Sequence, residues 1–89
     1  MERFKAVNGV ESAMLDKELA LLNINTGNYH VINEIGSSIW AGIKDNKTTQ
    51  EIIDKLHSVY DVDQELCQKE VEKFMVVLLD LKLVQREQM

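Results

Sequence analysis

The 89-residue sequence contains no proline and a single cysteine, Cys67. With no proline and no run rich in glycine and serine, nothing marks an internal linker, and residues 1–89 read as one domain. One cysteine cannot form an internal disulfide, and with only His30 and His57 beside it there is no spaced ligand set for a structural zinc. No metal and no cofactor are therefore expected. No stretch is apolar for long enough to cross a membrane, and the start MERFKAVNGV lacks the basic end and apolar centre of a secretory signal. The expected address is cytoplasmic. Cations are also in the minority: ten Lys and Arg stand against fifteen Asp and Glu, a net charge of −5. That balance works against nucleic-acid binding, whose affinity comes largely from Lys and Arg displacing counterions from phosphates. At 10.2 kDa the chain can bury one core but hardly a core and a deep catalytic cleft. Neither histidine has a Ser, Cys or carboxylate at a spacing that local geometry would bring into contact, and no glycine loop suits a nucleotide. The chain is not expected to be an enzyme.

What the sequence does contain is concentrated between Leu19 and Trp40, LALLNINTGNYHVINEIGSSIW. A two-residue loop at Thr26-Gly27, with glycine supplying the positive φ, would set Asn25 opposite Asn28, Ile24 opposite Tyr29, Asn23 opposite His30 and Leu22 opposite Val31. Leu22, Ile24, Tyr29 and Val31 then share one face, and a one-residue slip would scatter them. The strands run from Leu19 to Asn25 and from Asn28 to Ile32, and Phe4 to Val10 is a candidate first strand with a bend at Asn8-Gly9. Glu11 to Glu18 reads as polar and turn-like. Three such strands make a small antiparallel sheet that needs cover on one face.

Helices supply that cover. Asn33 suits an N-cap, and Ile35, Ile39, Trp40 and Ile43 follow at helical spacing, predicting a helix over Glu34–Ile43. Gly36 inside it is best explained by close packing. After a loop at Lys44–Lys47, Thr48 and Glu51 form a capping box for a second helix whose apolar side is Ile52, Ile53, Leu56, Val59 and Tyr60. Asp61 or Asp63 opens a third helix that reaches about Leu81, and Leu83-Val84 ends the fold. In this last helix Cys67, Val71, Phe74, Leu78 and Leu81 form a central stripe. Leu66 and Val77 flank it on one side, Met75 and Leu79 on the other, so the apolar arc covers roughly 220° where little over a quarter-turn is usual. Periodicity alone leaves two solutions open: burial between two layers, or an apolar groove left for a partner. Cys67 and Trp40 read as packing residues and His57 as solvated, while His30 is either a partly exposed strand residue or part of a groove lining. The strand Asn28–Asn33 carries neither the Pro nor the Lys that commonly discourages further pairing. An open edge beside an apolar helix is what addition of a peptide strand requires.

The order Leu21-Leu22, Ile24, Thr26-Gly27, Tyr29, Ile32-Asn33, Gly36, Ile39-Trp40, Thr48, Glu51-Ile52, Tyr60, Val62, Val71, Phe74, Leu78 and Leu83-Val84 resembles the PqqD-like family, the leader-recognition elements of ribosomal peptide natural-product pathways. Ile32-Asn33 stands where Leu-Asn is commoner. The resemblance implies an α+β winged helix-turn-helix, a three-stranded antiparallel sheet followed by three helices, with no catalysis of its own. It implies binding of a precursor's leader peptide as a strand added to the third strand, beside the third helix. A free-standing chain is most similar to the leader-binding subunit of lasso peptide biosynthesis, which partners a leader peptidase; the sibling alternative is a chaperone for a radical S-adenosylmethionine enzyme. On this reading Tyr29, His30, Val31 and Ile32 offer the main-chain ladder. Val71, Phe74, Met75, Leu78 and Leu79 wall the groove, on the Met75 flank because methionine adapts to irregular partners, and Lys82 meets an acidic leader residue. The chain is expected to be a monomer or weak dimer without nucleic-acid or membrane partners. The rivals are a DNA-binding winged helix, which the acidic second and third helices disfavour, and a homodimer that buries the third helix.

Overall fold

In the computed structural model, which describes residues 2–88, the chain runs β1 (Glu2–Ala6), β2 (Val10–Leu15), β3 (Glu18–Asn23), β4 (Tyr29–Ile32), α1 (Glu34–Lys44), α2 (Thr49–Tyr60), α3 (Gln64–Asp80) and β5 (Val84–Gln88). The class is the expected α+β arrangement: a three-stranded antiparallel sheet in the order β2-β3-β4, followed by three helices. A second, two-stranded ladder joins β1 to β5 antiparallel, from Glu2 opposite Gln88 to Ala6 opposite Val84. Leu83-Val84 therefore opens a strand instead of ending the fold.

Two expectations about the first strands are corrected. Phe4 to Val10 is not one strand, because β1 stops at Ala6 and the chain turns through Asn8-Gly9, where Gly9 has φ +93°. The segment Glu11–Glu18, expected as a turn, is mostly β2, and only Asp16-Lys17 is a turn, with Asp16 at φ +62°. The strand was hidden because residues Glu11 to Leu15 are exposed on both faces, so no alternation of polar and apolar residues was written into it.

The hairpin between β3 and β4 is also differently registered. Leu22 lies opposite Tyr29, Leu21 opposite His30, Ala20 opposite Val31 and Leu19 opposite Ile32, a displacement of two residues from the two-residue-loop register. Side chains of the loop explain the shift. Asn23 Oδ1 accepts from the Asn25 amide at 2.9 Å, the Asn23 carbonyl accepts from the Gly27 amide at 2.8 Å, and Thr26 Oγ1 accepts from the Asn28 amide at 3.3 Å. Together these close a four-residue loop, Ile24 to Gly27, with Gly27 at φ +77°. A two-residue displacement preserves which side chains share a face, so Leu22, Tyr29 and Val31 do lie together. They lie on the exposed face, however; Leu19, Leu21 and Ile32 point inward to the core.

The helix caps follow the local chemistry. Asn33 Oδ1 accepts from the Gly36 amide at 2.9 Å. At α2 the Thr48 hydroxyl accepts from the Glu51 amide at 3.2 Å, while the Glu51 carboxylate accepts from the Thr48 amide at 2.8 Å. The Thr48 hydrogen bonds, and less so the nearby Lys47 and Arg3, hold the Glu51 carboxyl below its ordinary range. At the far end of α3, Lys82 takes φ +61°, its amide donates to Leu79 and that of Leu83 donates to Leu78. This is a Schellman closure, with Leu78 and Leu83 in the accompanying apolar contact positions and both fully buried.

The core lies between the helices, the inner face of β3 and β4, and the β1–β5 ladder. Trp40, Ile39, Ile43, Ile52, Ile53 and Leu56 fill it from α1 and α2, and Phe4 and Val84 close it from the ladder. From α3 the buried residues are Cys67, Val71, Met75 and Leu78, whereas Phe74 is half-buried and Leu66, Val76 and Val77 are exposed. The wide apolar arc therefore has one flank in the core and one flank open.

Candidate functional site

The direction of the free main-chain groups on β4 follows from one hydrogen bond. The Asn23 amide donates to the Asn28 carbonyl at 2.9 Å, marking that pair as hydrogen-bonded. Antiparallel ladders alternate, so Leu21/His30 and Leu19/Ile32 are also hydrogen-bonded pairs, and Leu22/Tyr29 and Ala20/Val31 are not. The N–H and C=O groups of Tyr29 and Val31 consequently point away from β3, toward the open edge. Among the described residues no strand pairs with that edge. Their side chains stand on the outer face, 66% and 51% exposed, while His30 is half-buried and Ile32 buried on the inner face.

Beyond Ile32 the chain turns at Asn33 into α1, and here three elements meet. A Cβ built on Gly36 would collide with Ile32 and lie 2.9 Å from the Phe74 ring, so the missing side chain lets α1 sit down on β4 and α3 together. From this junction a cleft of about 340 Å³ runs between α1 and α3. It is lined by Asn33, Ile35, Gly36 and Ile39 on one side, Leu66, Cys67, Glu70 and Phe74 on the other, and Leu56, Tyr60 and Val62 at its end. Glu70 is its one charged lining residue. A larger concavity of about 460 Å³ between α1 and α2 shares Leu56 and Tyr60 as a wall, but no residue of β4 or α3 lines it. The Tyr60 hydroxyl lies 3.0 Å from the Ser38 hydroxyl. His57 is exposed as expected, and its Nδ1 lies 2.6 Å from the Val62 carbonyl, so the Nδ1–H tautomer donates there and secures the turn between α2 and α3.

Of the residues singled out from sequence, the fold joins β4 to Phe74 through Gly36. It does not expose the Met75 flank. Met75 is 2% exposed, Val71 and Leu78 are fully buried, and Leu79 is half-buried against the core, so the choice of that flank is corrected. The open flank carries Leu66, Glu70, Phe74 and Val77. Lys82 is exposed in the turn after α3 and does not line the cleft. Leu66 was legible as the rim of the apolar arc; Glu70, Ile35 and Tyr60 carried no sequence signal for the cleft, because their convergence depends on how α1 and α2 pack against α3.

The family model for coenzyme PQQ synthesis protein D (PqqD) matches residues 18–84. The chain belongs to the PqqD family. The matched span of this PqqD-family chain starts at β3 and includes β4, α1 and α3, hence both walls of the candidate site. Among solved structures it is similar to TbiB1 in complex with the TbiA(beta) leader peptide, at 31% identity and a TM-score of 0.87, covering 91% of this chain and 94% of that one. It also shares the fold of lasso peptide synthetase B1 complexed with the leader peptide, at 18% identity and a TM-score of 0.86, covering 93% and 98% respectively. No curated protein sequence matches it.

Proposed function

We propose that this chain is a non-catalytic adaptor of lasso peptide biosynthesis. It takes the leader segment of a ribosomally made precursor as a strand added to β4, and presents the precursor to a leader peptidase in the cytoplasm. The observation that carries the reading is the open β4 edge, with Tyr29 and Val31 directed outward beside an apolar cleft. The 31% identity to TbiB1, solved with a leader peptide, supports it. Lasso peptide synthetase B1, solved with a leader peptide, shares this fold, and together with the sequence resemblance it is the reason we choose the lasso branch over a radical S-adenosylmethionine partner.

The magnitudes divide the labour. Tyr29 and Val31 offer two donors and two acceptors, and a main-chain hydrogen bond contributes about 0.5–1.5 kcal/mol net. Four bonds supply about 2–6 kcal/mol, short of the roughly 8 kcal/mol that micromolar binding needs. Apolar side chains entering the cleft between α1 and α3 must supply the remainder, with Phe74 as the groove wall. Backbone pairing gives tolerance of sequence, and the cleft gives selectivity.

Proline substitution tests this by direction. Val31→Pro removes an outward N–H and leaves the β3 ladder intact, so it should preserve folding and weaken leader binding at least about tenfold. His30→Pro removes an inward N–H and should instead destabilise the hairpin. Fluorescence anisotropy with a labelled TbiA(beta) leader peptide, the peptide solved with TbiB1, together with circular dichroism, distinguishes the two. Undiminished binding by folded Val31→Pro protein would refute strand addition at β4.

A further inference from the structure

Among the described residues, the sheet β2-β3-β4 has a second unpaired edge. The Ile24 amide donates to the Gly9 carbonyl at 2.8 Å, which makes Gly9/Ile24 a hydrogen-bonded pair and, by alternation, Glu11/Leu22, Ala13/Ala20 and Leu15/Glu18 as well. The main-chain groups of Ser12 and Met14, and the carbonyl of Val10, therefore point outward from β2. Residues Glu11 to Leu15 are all exposed, and Met14 is 60% exposed. The strand VESAML has one charge, no lysine and no proline, so none of the usual deterrents to edge pairing is present apart from Glu11.

We infer that β2 pairs antiparallel with β2 of a second copy of this chain across a two-fold axis at Ser12. The self-complementarity of the strand selects this occupant. Outward-facing residues must meet outward-facing residues, which confines a symmetric pairing to a few registers. Centred on Glu11 it would set two carboxylates face to face. Centred on Ala13 it would oppose Glu11 to Leu15 and Met14 to Ser12. Centred on Ser12 it opposes Met14 to Val10, apolar to apolar, and Glu11 to Ala13, with no like charges facing. The Val10 amide is already turned onto the Val7 carbonyl at 3.3 Å. Four hydrogen bonds remain for this register: Ser12 N–H to Ser12 C=O in both directions, and Met14 N–H to Val10 C=O in both directions. The product is a six-stranded sheet that leaves both β4 edges at its outer ends. Pairing of β2 with a neighbour's β4 would instead propagate as a filament. The interface is short, so the dimer is weak and reversible. Each chain carries a net charge of −5, and added salt screens their repulsion and strengthens pairing.

Cysteine trapping on the full chain tests the register, since Cys67 is buried. Under a mild oxidant, Ser12→Cys should form a covalent dimer several-fold faster than Glu11→Cys or Ala13→Cys. Facing residues of a hydrogen-bonded pair lie about 5.5 Å apart at Cα, whereas a diagonal pair exceeds disulfide reach. Sedimentation equilibrium should show a monomer–dimer equilibrium that tightens with sodium chloride. Ser12→Pro and Ala13→Lys should each weaken it about tenfold without moving the melting temperature. A chain that stays monomeric at millimolar concentration, equal trapping at the three positions, or growth beyond dimers overturns the inference. Leader binding by Val31→Pro is unaffected by these outcomes, so the two ideas fail separately.

Discussion

A methyl group on residue 36 would meet Ile32 and come within 2.9 Å of the Phe74 ring, although alanine is favoured over glycine inside a helix by about 1 kcal/mol. Overpacking costs about 1–3 kcal/mol, so Gly36→Ala should lower stability in urea denaturation, the reverse of what helix propensity predicts. Adding Phe74→Leu should recover part of the loss, since the two sites share one contact. Glu51 makes a pH prediction. Its carboxyl is held below the ordinary range chiefly by the Thr48 backbone amide and then by the Thr48 side chain. A depressed folded-state value means that its stabilising effect is complete above the unfolded value and is lost as the pH falls through the folded value. Glu51→Gln should therefore melt below the parent chain at neutral pH, and the difference should shrink as the solution is acidified below pH ~4. An unchanging difference in melting temperature would contradict that assignment. Both caps, at Asn33 and Thr48, were legible in the sequence because a cap is made by residues three apart.

At the level of elements, α3 separates what periodicity can state from what packing decides. The apolar arc was visible in the sequence, but its orientation was not, and the flank chosen for methionine's adaptability is the one the core consumes. Met75→Asp would place a carboxylate at a 2% exposed position and should unfold the domain, since an unpaired buried charge costs several kcal/mol. Val77→Asp, on the exposed flank, should leave the melting temperature within a few degrees of the parent. Thermal melts of the two variants check the orientation of the helix without any ligand. The hairpin carries a similar lesson. Hydrophobic parity correctly grouped Leu22, Tyr29 and Val31, yet parity cannot say which face is buried, and hydrogen bonds from Asn23 and Thr26 set the loop length. The β4 edge was legible because its lack of lysine and proline is local; β2 was not, because a strand exposed on both faces writes no pattern.

Across the whole molecule, the feature least accessible from sequence is the β1–β5 ladder, which joins residues at opposite ends of the chain. Phe4 is buried beneath it, and the Arg86 guanidinium lies 5.7 Å from its ring centroid. Arg86 also reaches Glu2 at 3.4 Å in an exposed pair, so Arg86→Ala should cost no more than about 1 kcal/mol. Ending the chain at Leu83 should do much more, because it uncovers Phe4 and leaves β1 with only the isolated bridge between Arg3 and Thr48; a lowered melting temperature and increased binding of a hydrophobic dye would report it. The ladder also brings the two ends of the described fold together. Glu2 faces Gln88 across a single strand spacing, about 5 Å, so the polypeptide enters and leaves through one narrow doorway. A gap that small fits within an ordinary surface turn, which makes the fold physically suited to insertion into a loop of another protein.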